Sequence, residues 1–335
     1  MTPTIFRSFP KPGNFGIETL RLSAAPLIAP RQPRSRTNSP QMSIEDRMTQ
    51  GLKRRTVRVN GIRMHFAEAG DGPPVVLLHG YPETHHAWRD QWPELARDYH
   101  VIMPDLRGYG ETDKPDQGYD KRNMAEDVRQ LVAHLGYERI ALVGHDRGAR
   151  VATRFAKDHR AMVDRLVVLD NIPTRVVFET TDAKIAKLYW FFYFQQVPHL
   201  PEALVQGREE MFLRHFFTTW CYDPAAINED AIKEYLRAYS APGAFKGAFN
   251  DYRAGPIDLQ QDQEDSDHLI ECPVLVMWGR DFELVGGLYD VLAVWQGMAN
   301  DVRGLAIPEC GHLPQEEQPQ RVNQELREFL RGWKG

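Results

Sequence analysis

The chain has 335 residues, 42% hydrophobic and 26% charged, with a formal net charge of -5; this is the balance of a globular small-molecule protein and gives no basic footprint for nucleic acid. Its three cysteines, Cys221, Cys272 and Cys310, lie far apart in no Cys/His metal pattern, so no metal is expected and the thiols fit a reducing, cytoplasmic compartment. No apolar run approaches the roughly 20 residues of a membrane helix, and even Leu188–Phe194 ends in Gln195-Gln196, so a soluble protein is expected.

Residues 1–50 stand apart, rich in Pro, Arg and Ser and poor in acids, a composition that does not build a core. They are expected to form a disordered extension, either a transit peptide or a stretch ahead of a true start at Met42 or Met48. From Thr56 the pattern becomes regular. Thr56–Val59 and Met64–Glu68 read as strands turned at Asn60-Gly61, a strong hairpin signal. Short apolar runs bounded by Gly or Pro follow: Val75–Leu78, Val101–Met103, Ile140–Val143, Leu166–Leu169, Val274–Met277 and Gly304–Ile307. Helical periodicity lies between several of them, as at Met124–Leu135, and after the last at Gln318–Trp333. Buried strands alternating with helices predict an α/β protein with a mostly parallel, doubly wound sheet. The alternation stops after Asp170: from about Ile172 to Ala254 the chain reads as helical and unusually aromatic, with no clear strand, and Cys272-Pro273 then leads back to a strand. The expected organisation is therefore a core of 51–171 and 256–335 with an inserted helical cap at 172–255 lying over the site.

Gly144-His-Asp-Arg-Gly148 follows a buried strand and opens a helix, the setting of a nucleophile elbow in which Asp146 takes the place of serine. An Asp there also serves as a plain helix cap; the flanking glycines and the partners below favour the nucleophile. A carboxylate attacking an ester carbonyl would give a reactive anhydride, whereas attack on an sp³ carbon bearing halide, or on an epoxide, gives an ordinary ester that water opens. Esterase, lipase and peptidase are thereby disfavoured. The base that activates water is expected at His312, in a Gly-containing loop after the last strand and before the final helix. Its orienting acid is either Asp170, at the end of the strand Leu166–Leu169, or Asp281 after the next strand, with Asp170 favoured. The backbone N–H groups of Tyr81, in His79-Gly-Tyr-Pro82, and of Arg147 are the expected oxyanion hole. Arg147 and Arg150 lie on one face of the first helical turn, where two cations oppose the helix dipole. A clamp on a substrate carboxylate explains them; pairing with nearby acids such as Asp146 or Asp170 is the alternative.

Together these residues resemble the fluoroacetate and haloacetate dehalogenases of the α/β-hydrolase fold, over about residues 50 to 333. The resemblance rests on His79–Pro82, Asp105-Leu-Arg-Gly-Tyr-Gly110, Gly144-His-Asp-Arg-Gly-Ala-Arg150, Leu169-Asp-Asn-Ile-Pro173, Asp251-Tyr-Arg-Ala-Gly255 and Gly311-His312. It implies a small anionic 2-halo substrate held by Arg147 and Arg150, attack by Asp146 at Cα, and ester hydrolysis by water that His312 activates and Asp170 helps orient. No cofactor is implied, and Tyr252 would contact the departing halide. The fluoride-accepting members carry Tyr-Trp-His-Trp where this chain has Tyr189-Trp190-Phe191-Phe192. Two N–H donors give way to rings unless Trp190 serves, so chloride or bromide is expected to leave more readily than fluoride. The alternative is an epoxide hydrolase, which shares nucleophile, base, acid and cap but usually has an apolar residue at the position of Arg147; Tyr189, Tyr193, Tyr235, Tyr239 and Tyr252 would be its candidate proton donors. A non-catalytic ligand receptor is a third reading, and the assembly, monomer or homodimer, stays open.

Overall fold

The structure is a computed structural model that describes residues 51–335; the extension expected at residues 1–50 lies outside them. β1 (Lys53–Val59) and β2 (Ile62–Ala69) pair antiparallel across Asn60-Gly61, both at positive φ, as a two-residue hairpin requires. The other strands are β3 (Pro74–Leu78), β4 (His100–Pro104), β5 (Ile140–His145), β6 (Val163–Leu169), β7 (Val274–Gly279) and β8 (Val302–Ile307). They form one sheet in the order β1-β2-β4-β3-β5-β6-β7-β8, with β2 antiparallel to β4 and every pairing from β4 to β8 parallel. Each apolar run singled out above is one of these strands.

Side chains alternate across the sheet, which is why both faces are apolar. Val76, Leu78, Leu142, Leu166, Val168 and Val276 belong to one core, and Val75, Leu77, Val143, Val167, Leu169 and Leu275 to the other. The helices before the insertion are α1 (Trp92–Leu95), α2 (Lys121–His134) and α3 (Asp146–Asp158). Asp120 caps α2 by accepting the Asn123 N–H, and Met124, Val128, Leu131 and Val132 form its buried stripe, the 3.6-residue spacing of a helix against a sheet.

Between β6 and β7 the described residues form helices joined by loops, with no strand. The helices are α4 (Thr174–Thr180), α5 (Ala183–Leu188), α6 (Trp190–Phe194), α7 (Leu200–Val205), α8 (Glu209–Trp220), α9 (Glu229–Tyr239), α10 (Ala244–Arg253) and α11 (Gly255–Glu264). The last of these lies beyond the boundary expected at 255. Gly255-Pro256 starts this helix, because Pro256 falls in the first turn, where its missing N–H leaves nothing unpaired. After β7 come α12 (Val291–Gln296), α13 (Pro314–Glu317) and α14 (Pro319–Leu330), the last burying Val322, Leu326 and Leu330. Among the described residues no helix is long and apolar enough to cross a membrane.

Candidate active site

β5 runs directly into α3, so Asp146 stands at the tip of a strand-to-helix turn with φ 44°. A non-glycine residue in this left-handed region costs on the order of 1–3 kcal/mol, so the surroundings must hold it there. They do so by close approach: a Cβ on Gly148 would lie 2.3 Å from the Leu78 carbonyl oxygen, and one on Gly144 would lie 2.6 Å from Ala149 Cα. Only glycine lets α3 start this near the sheet. The Asp146 carbonyl accepts from Asn171 Nδ2 at 3.1 Å, and Oδ2 accepts the Tyr81 N–H at 3.0 Å.

His312 sits between two carboxylates. Its Nδ1 donates to Asp170 Oδ2 at 2.6 Å, and its Nε2 lies 3.9 Å from Asp146 Oδ2, an ionic approach rather than a hydrogen bond. Asp170, also at positive φ, is fixed further by the Gly279 N–H at 2.9 Å. Asp281 does not reach the histidine: it pairs with Arg280 and accepts the Glu309 N–H at 2.8 Å. Burial opposes charge on His312, but Asp146 and Asp170 outweigh it and push the imidazole up to about 10. Burial also raises the Asp146 carboxyl, yet His312, with His145 and Arg147 beside it, holds it well below the usual carboxylate range. For Asp170 burial prevails and the net shift is upward. The resting centre is thus an imidazolium between two carboxylates.

The loop carrying His312 is tied at each peptide. The His312 N–H donates to the Trp220 carbonyl at 2.8 Å, and its carbonyl accepts from His145 Nε2 at 2.7 Å, while His145 Nδ1 meets Glu83 at 2.8 Å. The Glu317 carboxylate accepts from Gly311 and Leu313 at 3.0 Å and from the Tyr222 N–H at 2.7 Å.

Asp146, Asp170 and His312 open onto a small cavity, about 30 Å³, that Arg147, Arg150, Phe191, Phe192 and Tyr252 also line. Trp190 is not among the lining residues: its ring is 40% exposed and stacks on Phe216. The expectation that it serves the pocket is therefore corrected, because consecutive residues of α6 point different ways and Phe191 and Phe192 take the inward positions. Trp220 was missed. It lines the cavity and packs edge-on to His312 with ring centroids 4.8 Å apart, but nothing in the sequence separates it from the other aromatics of the insertion. Tyr189 lines the cavity too, its hydroxyl donating to the Leu284 carbonyl at 2.9 Å.

The two arginines differ. Arg147 donates through Nε and Nη2 to both oxygens of Asp251 at 2.9 and 2.7 Å, while its buried Nη1 has no hydrogen-bond partner. Its ion-pair partner is thus neither Asp146 nor Asp170 but an acid of α10, from the Asp251–Gly255 motif. Arg150 has no carboxylate within 4.0 Å among the described residues; its Nη1 meets the Thr174 hydroxyl and its buried Nε is unpaired. Burial and the neighbouring Arg147 charge lower its pKa, though guanidinium stays protonated in proteins. Elsewhere, His65, His85 and Asp105 bring possible metal ligands within 4.8 Å of one another. Asp105 there already takes both imidazole Nδ1 groups at 2.9 Å and the N–H groups of His85 and Glu111, so the cluster is satisfied by hydrogen bonds alone.

Comparison with known proteins agrees with this architecture. The α/β hydrolase fold family matches residues 73–319. The chain is 39% identical to the soluble epoxide hydrolase of Corynebacterium sp. (strain C12) over 79% of its own length and 92% of that protein's. It is 38% identical to the fluoroacetate dehalogenase of Burkholderia sp., over 84% and 95% respectively. Among solved structures, ALR0039 of Nostoc sp PCC 7120 superposes with a TM-score of 0.82 at 40% identity, over 84% of this chain and 99% of that one. The chain belongs to the α/β-hydrolase fold family, within the group that holds these epoxide hydrolases and fluoroacetate dehalogenases.

Proposed function

We propose that this hydrolase is a dehalogenase of small 2-haloacids, converting a haloacetate and water to glycolate, halide and a proton. The observation that carries the reading is Arg150, a buried guanidinium that lines the cavity beside Asp146 without a carboxylate of its own. A buried charge left unpaired is costly, and a substrate carboxylate is the counter-ion that relieves it. Arg147 Nη1 offers a second donor. The cavity has room for only two or three waters, at about 10–15 Å³ each, which favours a compact substrate over a bulky one.

In the proposed sequence an Asp146 carboxylate oxygen attacks Cα, the new C–O bond forms as the carbon–halogen bond breaks, and halide leaves past Tyr252, Phe191 and Phe192. Forming the ester removes the negative charge that helps keep His312 protonated, so the imidazole sheds its proton and becomes a base. Water then adds to the Asp146 carboxyl carbon as His312, oriented by Asp170, takes its proton. The Tyr81 and Arg147 N–H groups hold the oxyanion; collapse breaks the ester C–O bond, the departing glycolate oxygen takes the second proton of the attacking water, and the Asp146 carboxylate and the protonated His312 are restored. The helices between β6 and β7 act as a cap that excludes bulk water.

Epoxide opening by the same Asp146 is the second reading, favoured by the likeness to the Corynebacterium enzyme and by the Tyr252 ring over the site. It is weakened by Tyr189, whose hydroxyl is committed to a backbone carbonyl, and by a neutral epoxide leaving Arg150 uncompensated. The test is Arg150→Leu. A charge-assisted hydrogen bond is worth about 1.5–3 kcal/mol, so kcat/KM for chloroacetate should fall at least about tenfold while chloroacetamide turnover holds. Parallel loss on both substrates would mean that Arg150 is structural.

A further inference from the structure

Behind Arg147 lies a buried charge cluster that none of the steps above uses. Asp251 accepts Arg147 on both oxygens, the Tyr109 hydroxyl at 2.7 Å, and the Lys121 ammonium. Lys121 is itself buried, and its Nζ lies 3.4 Å from Asp258 Oδ2. That oxygen is buried without a hydrogen bond and stands 3.9 Å from Arg147 Nη2. The placement follows from the fold: Lys121 opens α2, and its N–H donates to Asp258 Oδ1 at 2.8 Å, joining α2 to α11 next to the pocket.

The arginine and Asp251 already form a complete bidentate pair. Burying a lysine and a second aspartate beside them carries a further desolvation cost and leaves Asp258 imperfectly bonded, so stability alone does not account for the arrangement. Charge does. Lys121 and Arg147 balance Asp251 and Asp258, so the four groups are neutral together and add no net charge to the field that Arg150 and the Asp146–His312–Asp170 centre set in the cavity. Without Lys121 the cluster would carry one net negative charge and would cancel Arg150 as seen by an anion, in an interior where water screens little.

We propose that Lys121 is a specificity-determining residue for the anionic substrate, acting through Asp251 and Arg147 without touching the ligand. This rests on the haloacid reading above. The experiment measures the inhibition constant of acetate and the kinetics of chloroacetate and chloroacetamide at pH 8, where Asp258, pushed up to about 6 by burial, is ionised. Lys121→Met should raise the acetate constant and the chloroacetate KM about tenfold, with kcat nearly unchanged and chloroacetamide unaffected. Asp258→Asn alone should act in the opposite sense and tighten acetate, a gain that a merely destabilised protein would not show. The double variant Lys121→Met/Asp258→Asn, neutral again, should recover most of the lost affinity. Unchanged acetate binding in both single variants, or a double variant no better than Lys121→Met, would overturn the inference while leaving the haloacid reading intact. A wild-type enzyme that neither binds acetate nor prefers chloroacetate to its amide would overturn the reading itself, and the inference with it.

Discussion

At the scale of single residues the proposed mechanism divides labour between Asp146, which makes the ester, and His312, which opens it. Their positions differ enough to be separated: the Tyr81 N–H holds the aspartate from one side, while the histidine approaches it only to 3.9 Å and makes no hydrogen bond to it. His312→Asn should therefore spare alkylation and block hydrolysis. Incubation with chloroacetate should give about one halide per enzyme and then stop, with a carboxymethyl adduct on the peptide containing Asp146 found by mass spectrometry. Steady halide release without an adduct would rule out the covalent route. Asp146 and His312 were legible because the elbow glycines and the chain order name them. Sequence ranked Asp170 ahead of Asp281 by family habit alone, since both end strands of the same sheet; the side-chain reach that separates them exists only in three dimensions. Arg147 and Arg150 looked alike for a similar reason. Asp251, which pairs with only one of them, is about a hundred residues away along the chain.

Elements act on the site chiefly through backbone ties. The loop between β8 and α13 is bound to the end of α8 by the His312 N–H on the Trp220 carbonyl and by the Glu317 carboxylate, which gathers N–H groups of Gly311, Leu313 and Tyr222. The histidine is thus fastened to the inserted helices as well as to the sheet. Glu317→Gln would turn an amide NH₂ toward a backbone N–H and lose a charge-assisted bond, at about 1.5–3 kcal/mol of stability. We expect a lower Tm together with roughly tenfold slower ester hydrolysis, read as a halide burst followed by a slow phase. A lower Tm with unchanged kinetics would show that the tie is structural only. None of this was visible in the sequence, where Gln315-Glu316-Glu317 reads as an ordinary acidic helix start. Helix α11 was left outside the insertion because it carries none of the aromatic residues that mark the rest of it, while Pro256 in its first turn is compatible with a helix start.

For the molecule as a whole, the sheet was the most legible feature. Parallel strands buried on both faces must be continuous apolar runs, and each run bounded by Gly or Pro became a strand. The insertion was recognisable by the loss of that alternation, but which of its aromatics face the site was not, because Trp190–Phe194 is aromatic at every position and so offers no periodicity that marks an inner face. Trp220 entering and Trp190 leaving the cavity are the consequence. The remaining choice, between carbon–halogen and epoxide chemistry, belongs to the charge of the entire pocket: the unpaired Arg150, the neutral cluster behind Arg147 and the ionised Asp146–His312–Asp170 centre. The most direct measurement is product formation by the purified enzyme given chloroacetate and styrene oxide in parallel, following free chloride and diol. The account predicts stoichiometric chloride and glycolate from chloroacetate and little diol. Rapid diol formation without chloride release would contradict it.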